Sequence, residues 1–132
     1  MAEKEFLNPP GLMPTRGWTH VVAARGEKVI TISGQISTDA EGKMVCRGDL
    51  RAQTERVYEN LRIALAAAGA TFEDVVKITT FVVNFKHEDL AAVREVRGRY
   101  VPARNPPAST LVGVTALALE GLLIEIEATA IV

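Results

Sequence analysis

Apolar side chains recur along this chain with two different periods, and the switches between them divide it into alternating strands and helices. Residues 18–24 (WTHVVAA) and 28–36 (KVITISGQI) are runs rich in β-branched side chains, separated by Arg25-Gly26-Glu27. That pattern predicts two strands joined as a hairpin, with the fold beginning near Trp18. The Pro-rich piece at 8–14 reads as a terminal arm, and Asp39 to Gly42 as a polar turn. From Asp49 the period lengthens: Leu50, Val57, Leu61, Leu65 and Ala68 share one helical face, with Asp49 as N-cap and Gly69 at the first position past the end. Residues 75–84 (VVKITTFVVN) return to strand chemistry. His87 to Tyr100 carries Leu90, Val93, Val96/Arg97 and Tyr100 at helical spacing before Pro102 stops it. Strands at 108–115 and 122–131 close the chain.

The order ββαβαββ predicts an α+β, two-layer sandwich: a mixed β-sheet with two helices on one face. Alternation assigns each strand residue to a side. In the last strand Leu122, Ile124, Ile126, Ala128 and Ala130 form an apolar side fit to receive the helices, and Leu123, Glu125, Glu127, Thr129 and Ile131 form a mixed one. Strand 28–36 divides into Ile30, Ile32, Gly34, Ile36 against Val29, Thr31, Ser33, Gln35. Strand 75–84 divides into Val76, Ile78, Thr80, Val82 against Val75, Lys77, Thr79, Phe81, Val83. The mixed side is too rich in Val, Leu and Phe for a face left to water, so a second subunit is expected to cover it, leaving polar pockets at the seams.

Composition narrows the partners. The 132 residues make a single domain, 1–132, large enough for a core without disulfides or a structural metal. Fifteen basic residues against sixteen acidic ones give a net charge of −1, which supplies no field to hold a polyanion, so nucleic acid is a poor expectation. No apolar run approaches the roughly 20 residues that span a bilayer, and the N-terminus has no secretory h-region. With one cysteine, Cys46, the expected compartment is the reducing cytoplasm.

Nucleotide-phosphate loops and HExxH zinc motifs are absent, and the only histidines are His20 and His87, which leaves no expected metal or cofactor. His20 shares a strand side with Trp18, which suits a pocket wall or an ordinary structural histidine; His87 reads as a surface residue at a helix start. Glu125 and Glu127 form the sharpest constellation, two carboxylates on one side of a strand about 7 Å apart. Their repulsion is about 2.4 kcal/mol at an effective dielectric of 20 and about 0.6 kcal/mol in water, so burying both would create a proton-holding carboxyl and wetting both would not. Salt bridges to Lys77 or to a neighbouring subunit are the alternative reading. Gly34, in Ser33-Gly34-Gln35, admits close approach of a ligand to the backbone or marks a bulge.

The run from ISGQISTDAEGKMVCRGDL to ITTFVVN, followed by PPASTLVGV and LLIEIEATAIV, resembles the RidA (YjgF) superfamily of reactive-intermediate deaminases from about Trp18 to Val132. The resemblance implies a chorismate-mutase-like fold, a homotrimer with an internal barrel, and ligand clefts between subunits. It also implies hydrolysis of 2-imino or 2-enamino acids, without a cofactor, to 2-keto acids and ammonia. On the matching positions Glu125 would direct the attacking water, Gly34 beside Ser33 would offer a backbone donor, and Trp18 would line the pocket. The chain departs from the family where active deaminases read Pro-Ala-Arg-Ser: Ser109 replaces the carboxylate-binding arginine, and Leu111 stands where cysteine is common. Arg94, on the second helix, is a candidate for a relocated cation. The expected function is a small-molecule protein with an inter-subunit cleft, hydrolysing an imine, enamine or related metabolite. The alternatives are a non-catalytic binding or interaction protein of the same fold and, weakened by the neutral charge, an endoribonuclease.

Overall fold

The computed structural model describes residues 2–132. Six strands and two helices follow in the order β1 (Glu3–Leu7), β2 (Val21–Arg25), β3 (Val29–Gln35), α1 (Leu50–Ala67), β4 (Val75–Val83), α2 (Leu90–Arg97), β5 (Ala108–Val114) and β6 (Ile124–Ile131). The main sheet runs β3-β6-β4-β5, with β6 antiparallel to both its neighbours and β4 parallel to β5. The strands β3, β4 and β5 therefore point the same way, and α1 and α2 are the crossovers that parallel strands require.

Local chemistry accounts for the ends of α1. Asp49 is extended and its carboxylate accepts from the Ala52 N–H at 3.0 Å, while Gly69 takes a φ of 77°, where its N–H reaches Ala66 O and that of Ala70 reaches Leu65 O. The second predicted helix resolves into a single 3-10 turn, His87–Asp89, followed by α2. The polar turn forms as expected, with Asp39 accepting from the N–H groups of Glu41 and Lys43 and Gly42 at a φ of 80°.

Both helices lie against one side of the sheet. Val57, Tyr58, Leu61 and Leu65 of α1 and Val93 and Val96 of α2 are sealed with Ile78, Val82, Ile124 and Ile126. At roughly 1.5–3 kcal/mol for each large side chain removed from water, this layer is the main source of stability. The side read as apolar in β6, Leu122 to Ala130, is the buried one; Glu125 and Thr129 are half-exposed on the other and Glu127 is exposed.

Three expectations are corrected. The 18–24/28–36 hairpin does not form: β2 pairs with β1, antiparallel from Leu7↔Val21 to Glu3↔Arg25, in a ribbon separate from the main sheet. The reason lies in the turn. Glu27 and Lys28 donate to Val132 O at 2.7 and 2.9 Å, and Gly26 packs so closely on Ile131 and Val132 that a Cβ there would sit 2.6 Å away. The chain thus wraps around the end of β6, which carries β2 off the free edge of β3. The fold also starts earlier than Trp18: β1 forms at Glu3–Leu7, ahead of the Pro-rich piece at 8–14, which is therefore part of the β1–β2 connection and not a terminal arm. The third correction concerns faces: a bulge between Val75 and Lys77 buries Val75 in place of Val76.

Candidate functional site

The site is positioned by a row of polar residues on the buried side of α1. Gln53, fully buried, donates to Gly121 O at 3.1 Å and accepts from the Leu123 N–H at 2.9 Å, which fixes the entry to β6 two residues before Glu125. Asn60 donates to Ile36 O at 2.9 Å and Arg56 to Thr38 O at 3.0 Å, which fixes the exit from β3 just beyond Gly34. One helix therefore sets both strands of the site. Sequence reasoning did not single out these residues, yet the signal was present: polar side chains at 53 and 60 lie at helical spacing with Val57 on the buried stripe.

Between those anchors β3 bulges. Its register against β6 runs Ile32↔Ala128 and then Gln35↔Ile126, so three steps on β3 oppose two on β6. The extra residue turns Gly34 away from the helices, where alternation had put it, onto the side of Glu125. The Glu125 carboxylate then lies directly on the Gly34 backbone: a Cβ at position 34 would fall 1.9 Å from Oε2 and 2.7 Å from Cδ. Only glycine leaves room. Ser33 is exposed beside it, its carbonyl accepting from Gln35 Nε2 at 3.0 Å.

Glu125 sits opposite Phe81 of β4, and Glu127 opposite Thr79. Along the same face Lys77 donates to Thr110 Oγ1 at 2.7 Å and pairs with neither glutamate. Because Glu127 is exposed and Glu125 half-buried, the two carboxylates are not both buried within one chain. The remainder of this open face is mixed, with Val112 39% exposed and Phe81, Val83 and Leu123 only partly covered.

The other expected residues lie elsewhere on the protomer. Ser109 is opposite Ile78 and Leu111 opposite Thr80 in the parallel β4–β5 pair, which puts both on the helix side of the sheet, and Leu111 packs against the core. Trp18 precedes β2, half-buried, with the edge of its ring on His20 at a centroid distance of 4.7 Å. His20 is bound by structure, its Nε2 within 2.7 Å of Met13 O. Thr19 ties this segment to the approach of β5, its N–H donating to Pro107 O at 3.2 Å and its hydroxyl to Pro106 O at 2.6 Å. Arg94 is exposed on α2 and, among the described residues, has no carboxylate partner. A single chain thus unites Gly34 and Glu125, with Ser33 next to Gly34 on β3, and puts Ser109 and Leu111 on the opposite side of the sheet.

Among the described residues no helix is long and apolar enough to cross a membrane. Comparison with known proteins places the chain in a lineage. The family model described as Endoribonuclease L-PSP matches residues 11–132. Protein DfrA of Myxococcus xanthus is 40% identical over 131 residues, spanning 99% of this chain and 97% of its own. A 2-iminobutanoate/2-iminopropanoate deaminase of Dermatophagoides farinae is 27% identical over 132 residues, spanning 100% and 99%. Among solved structures, a protein of unknown function of the Rid family, YyfB from Yersinia pestis, superposes with a TM-score of 0.92 at 40% identity over 98% of each chain. The chain belongs to the endoribonuclease L-PSP family, that of the RidA (YjgF) proteins.

Proposed function

We propose that this protein hydrolyses a small imine or enamine to a carbonyl compound and ammonia, in clefts formed where copies of the chain meet over the open face of the sheet. The observation that carries the reading is the Glu125 carboxylate seated on the Gly34 backbone. Such a carboxylate accepts a hydrogen bond from water and takes its proton as the water oxygen adds to the C=N carbon. The proton passes to the nitrogen, giving a carbinolamine; the carboxylate then takes the hydroxyl proton and delivers it to the nitrogen as the C=O bond forms and the C–N bond breaks, and ammonia leaves. This is general acid/base hydrolysis, worth typically 10²–10⁴-fold, and it needs no cofactor.

The same face supports self-association in this reading: Phe81, Val83 and Leu123 are only partly covered and Val112 is exposed, an apolar content that suits the interior of an interface more than a wetted surface. Pairing copies also offers a way to bring Ser109, Leu111 and Trp18 of one protomer toward Glu125 of another. The relative from Dermatophagoides farinae, named as a 2-iminobutanoate/2-iminopropanoate deaminase, supports the reaction class.

The test measures ammonia release from 2-iminopropanoate generated in situ, for the wild type, Glu125→Gln and Ser109→Arg. Release by the wild type and its loss in Glu125→Gln support the reading; equal rates for those two proteins overturn the role of Glu125. A second reading, binding without catalysis, draws on the serine at position 109, which supplies no cation there. Release by Ser109→Arg alone supports it.

A further inference from the structure

We infer that Arg97, in the last turn of α2, is the carboxylate-binding group of this protein. Arginines on and just after the two helices pair with carboxylates: Arg51 with Glu95 at 2.9 Å, Arg62 with Glu59 at 2.9 Å, and Arg99, two residues past α2, with Glu55 and Glu95 at 3.2 and 3.4 Å. Arg97 breaks the pattern. Its side chain is partly buried, yet among the described residues its guanidinium has neither a hydrogen-bond partner nor a carboxylate within ion-pair distance. Burial, and secondarily the charge of Arg94 one turn earlier, destabilise its cationic form.

Tyr58, fully buried on α1 and within reach of the Arg97 charge, has a hydroxyl with no partner, and burial keeps that phenol protonated. A guanidinium offers five N–H groups and no acceptor, so Arg97, with Arg94 one turn earlier, lacks one thing, an anionic acceptor. The position at the end of α2 suits a cation but satisfies none of those donors.

The segment above Arg97 is shaped to it. Gly17, at a φ of 76°, approaches so closely that a Cβ would lie 2.9 Å from Nη2. Trp18 follows, and Thr19 is fastened to Pro106 and Pro107. Residues 17–19 thus bridge from α2 to the start of β5, where Ser109 faces the helix side of the sheet. A partly buried, unpaired guanidinium fits a planar carboxylate better than any other small anion, because the two match in a bidentate geometry. That a carboxylate binds at Arg97 stands on this geometry alone; that the carboxylate belongs to a 2-oxo or 2-imino acid rests on the proposed hydrolysis.

Trp18, the sole tryptophan, gives a direct readout. Pyruvate is titrated into the full-length protein while its fluorescence is followed, with calorimetry in parallel and inorganic phosphate as comparison. Saturable binding of pyruvate, weaker binding of phosphate, a loss of affinity of about tenfold or more in Arg97→Met and a several-fold loss in Arg97→Lys are expected, the lysine variant retaining charge and packing but not the fork. Wild-type affinity in either folded variant, phosphate bound as tightly as pyruvate, or no saturable binding by the wild type overturns the inference. Pyruvate binding lost in Arg97→Met without imine hydrolysis by the wild type would leave Arg97 standing and remove the hydrolase reading. Hydrolysis with an unchanged KM in Arg97→Met would do the reverse.

Discussion

Gly34 and Glu125 act as one unit: the bulge in β3 turns the glycine toward the carboxylate, and a side chain at 34 would occupy the volume that Oε2 holds, 1.9 Å from the position of a Cβ. Gly34→Ala is accordingly expected to push Glu125 aside by an ångström or more. Such a displacement lowers catalysis by about 100-fold, while overpacking at this half-exposed position lowers stability by about 1–3 kcal/mol. Ammonia release measured beside a urea unfolding curve separates the two effects; unchanged activity in a folded variant would show that the position of Glu125 is irrelevant.

The open face offers a second test. Phe81 lies opposite Glu125 on β4 and is only partly covered in the single chain. Placing a charge there by Phe81→Asp should cost little in an isolated protomer and much in an interface that excludes water. Sedimentation is expected to find the wild type as a multiple of the 14.3 kDa chain and the variant as the single chain, with hydrolysis lost on dissociation. A wild type that sediments as one chain would rule out the inter-subunit cleft.

Tyr58 makes a third prediction, on stability. Its ring stacks on Tyr100 at 5.1 Å and packs on Phe72, but its hydroxyl is sealed without a partner. Removing an unsatisfied buried donor while retaining the ring relieves a desolvation cost of about 1–3 kcal/mol, so Tyr58→Phe should match or exceed the wild type by up to about that amount. A marked loss on urea unfolding would mean that the hydroxyl has a partner in solution.

Glu59 governs a small acid-dependent contribution. Its carboxylate accepts from Arg62 at 2.9 Å and from the Tyr100 hydroxyl at 2.9 Å, and these bonds, Arg62 first, hold it below the usual carboxylate range. A group lowered in the folded state stabilises above its unfolded pKa of about 4.3, and that stabilisation fades as pH falls through the folded value. Thermal melts from pH 7 to pH 3 should show Glu59→Gln less stable at neutral pH by under about 1 kcal/mol, because the group faces solvent, with the gap closing in acid. A gap that widens in acid would contradict the assignment.

Much of this was legible in the residues. The caps of α1 at Asp49 and Gly69, the apolar side of β6 and both crossover helices follow from spacing and local backbone chemistry. The side of the sheet that carries Glu125 followed from alternation in β6 alone, which has no irregularity between Ile124 and Ala128. Gly34 was identified as a bulge or a place where a ligand approaches the backbone; the bulge forms, with the Glu125 carboxylate packed on it, but its side of the sheet was misread. Alternation holds only while register holds, and one inserted residue reverses it.

By itself, the sequence determined which residues pair with water and which with each other: the period of the apolar positions encodes helix, strand and buried side, because those periods are properties of the backbone. The tertiary structure decided what no local period contains. It set β2 beside β1, since the turn at Gly26 is captured by the end of β6. It brought Glu125 down on Gly34 through a bulge and stretched Gly17 across Arg97, because such contacts join residues far apart in the chain and arise only when the layers pack.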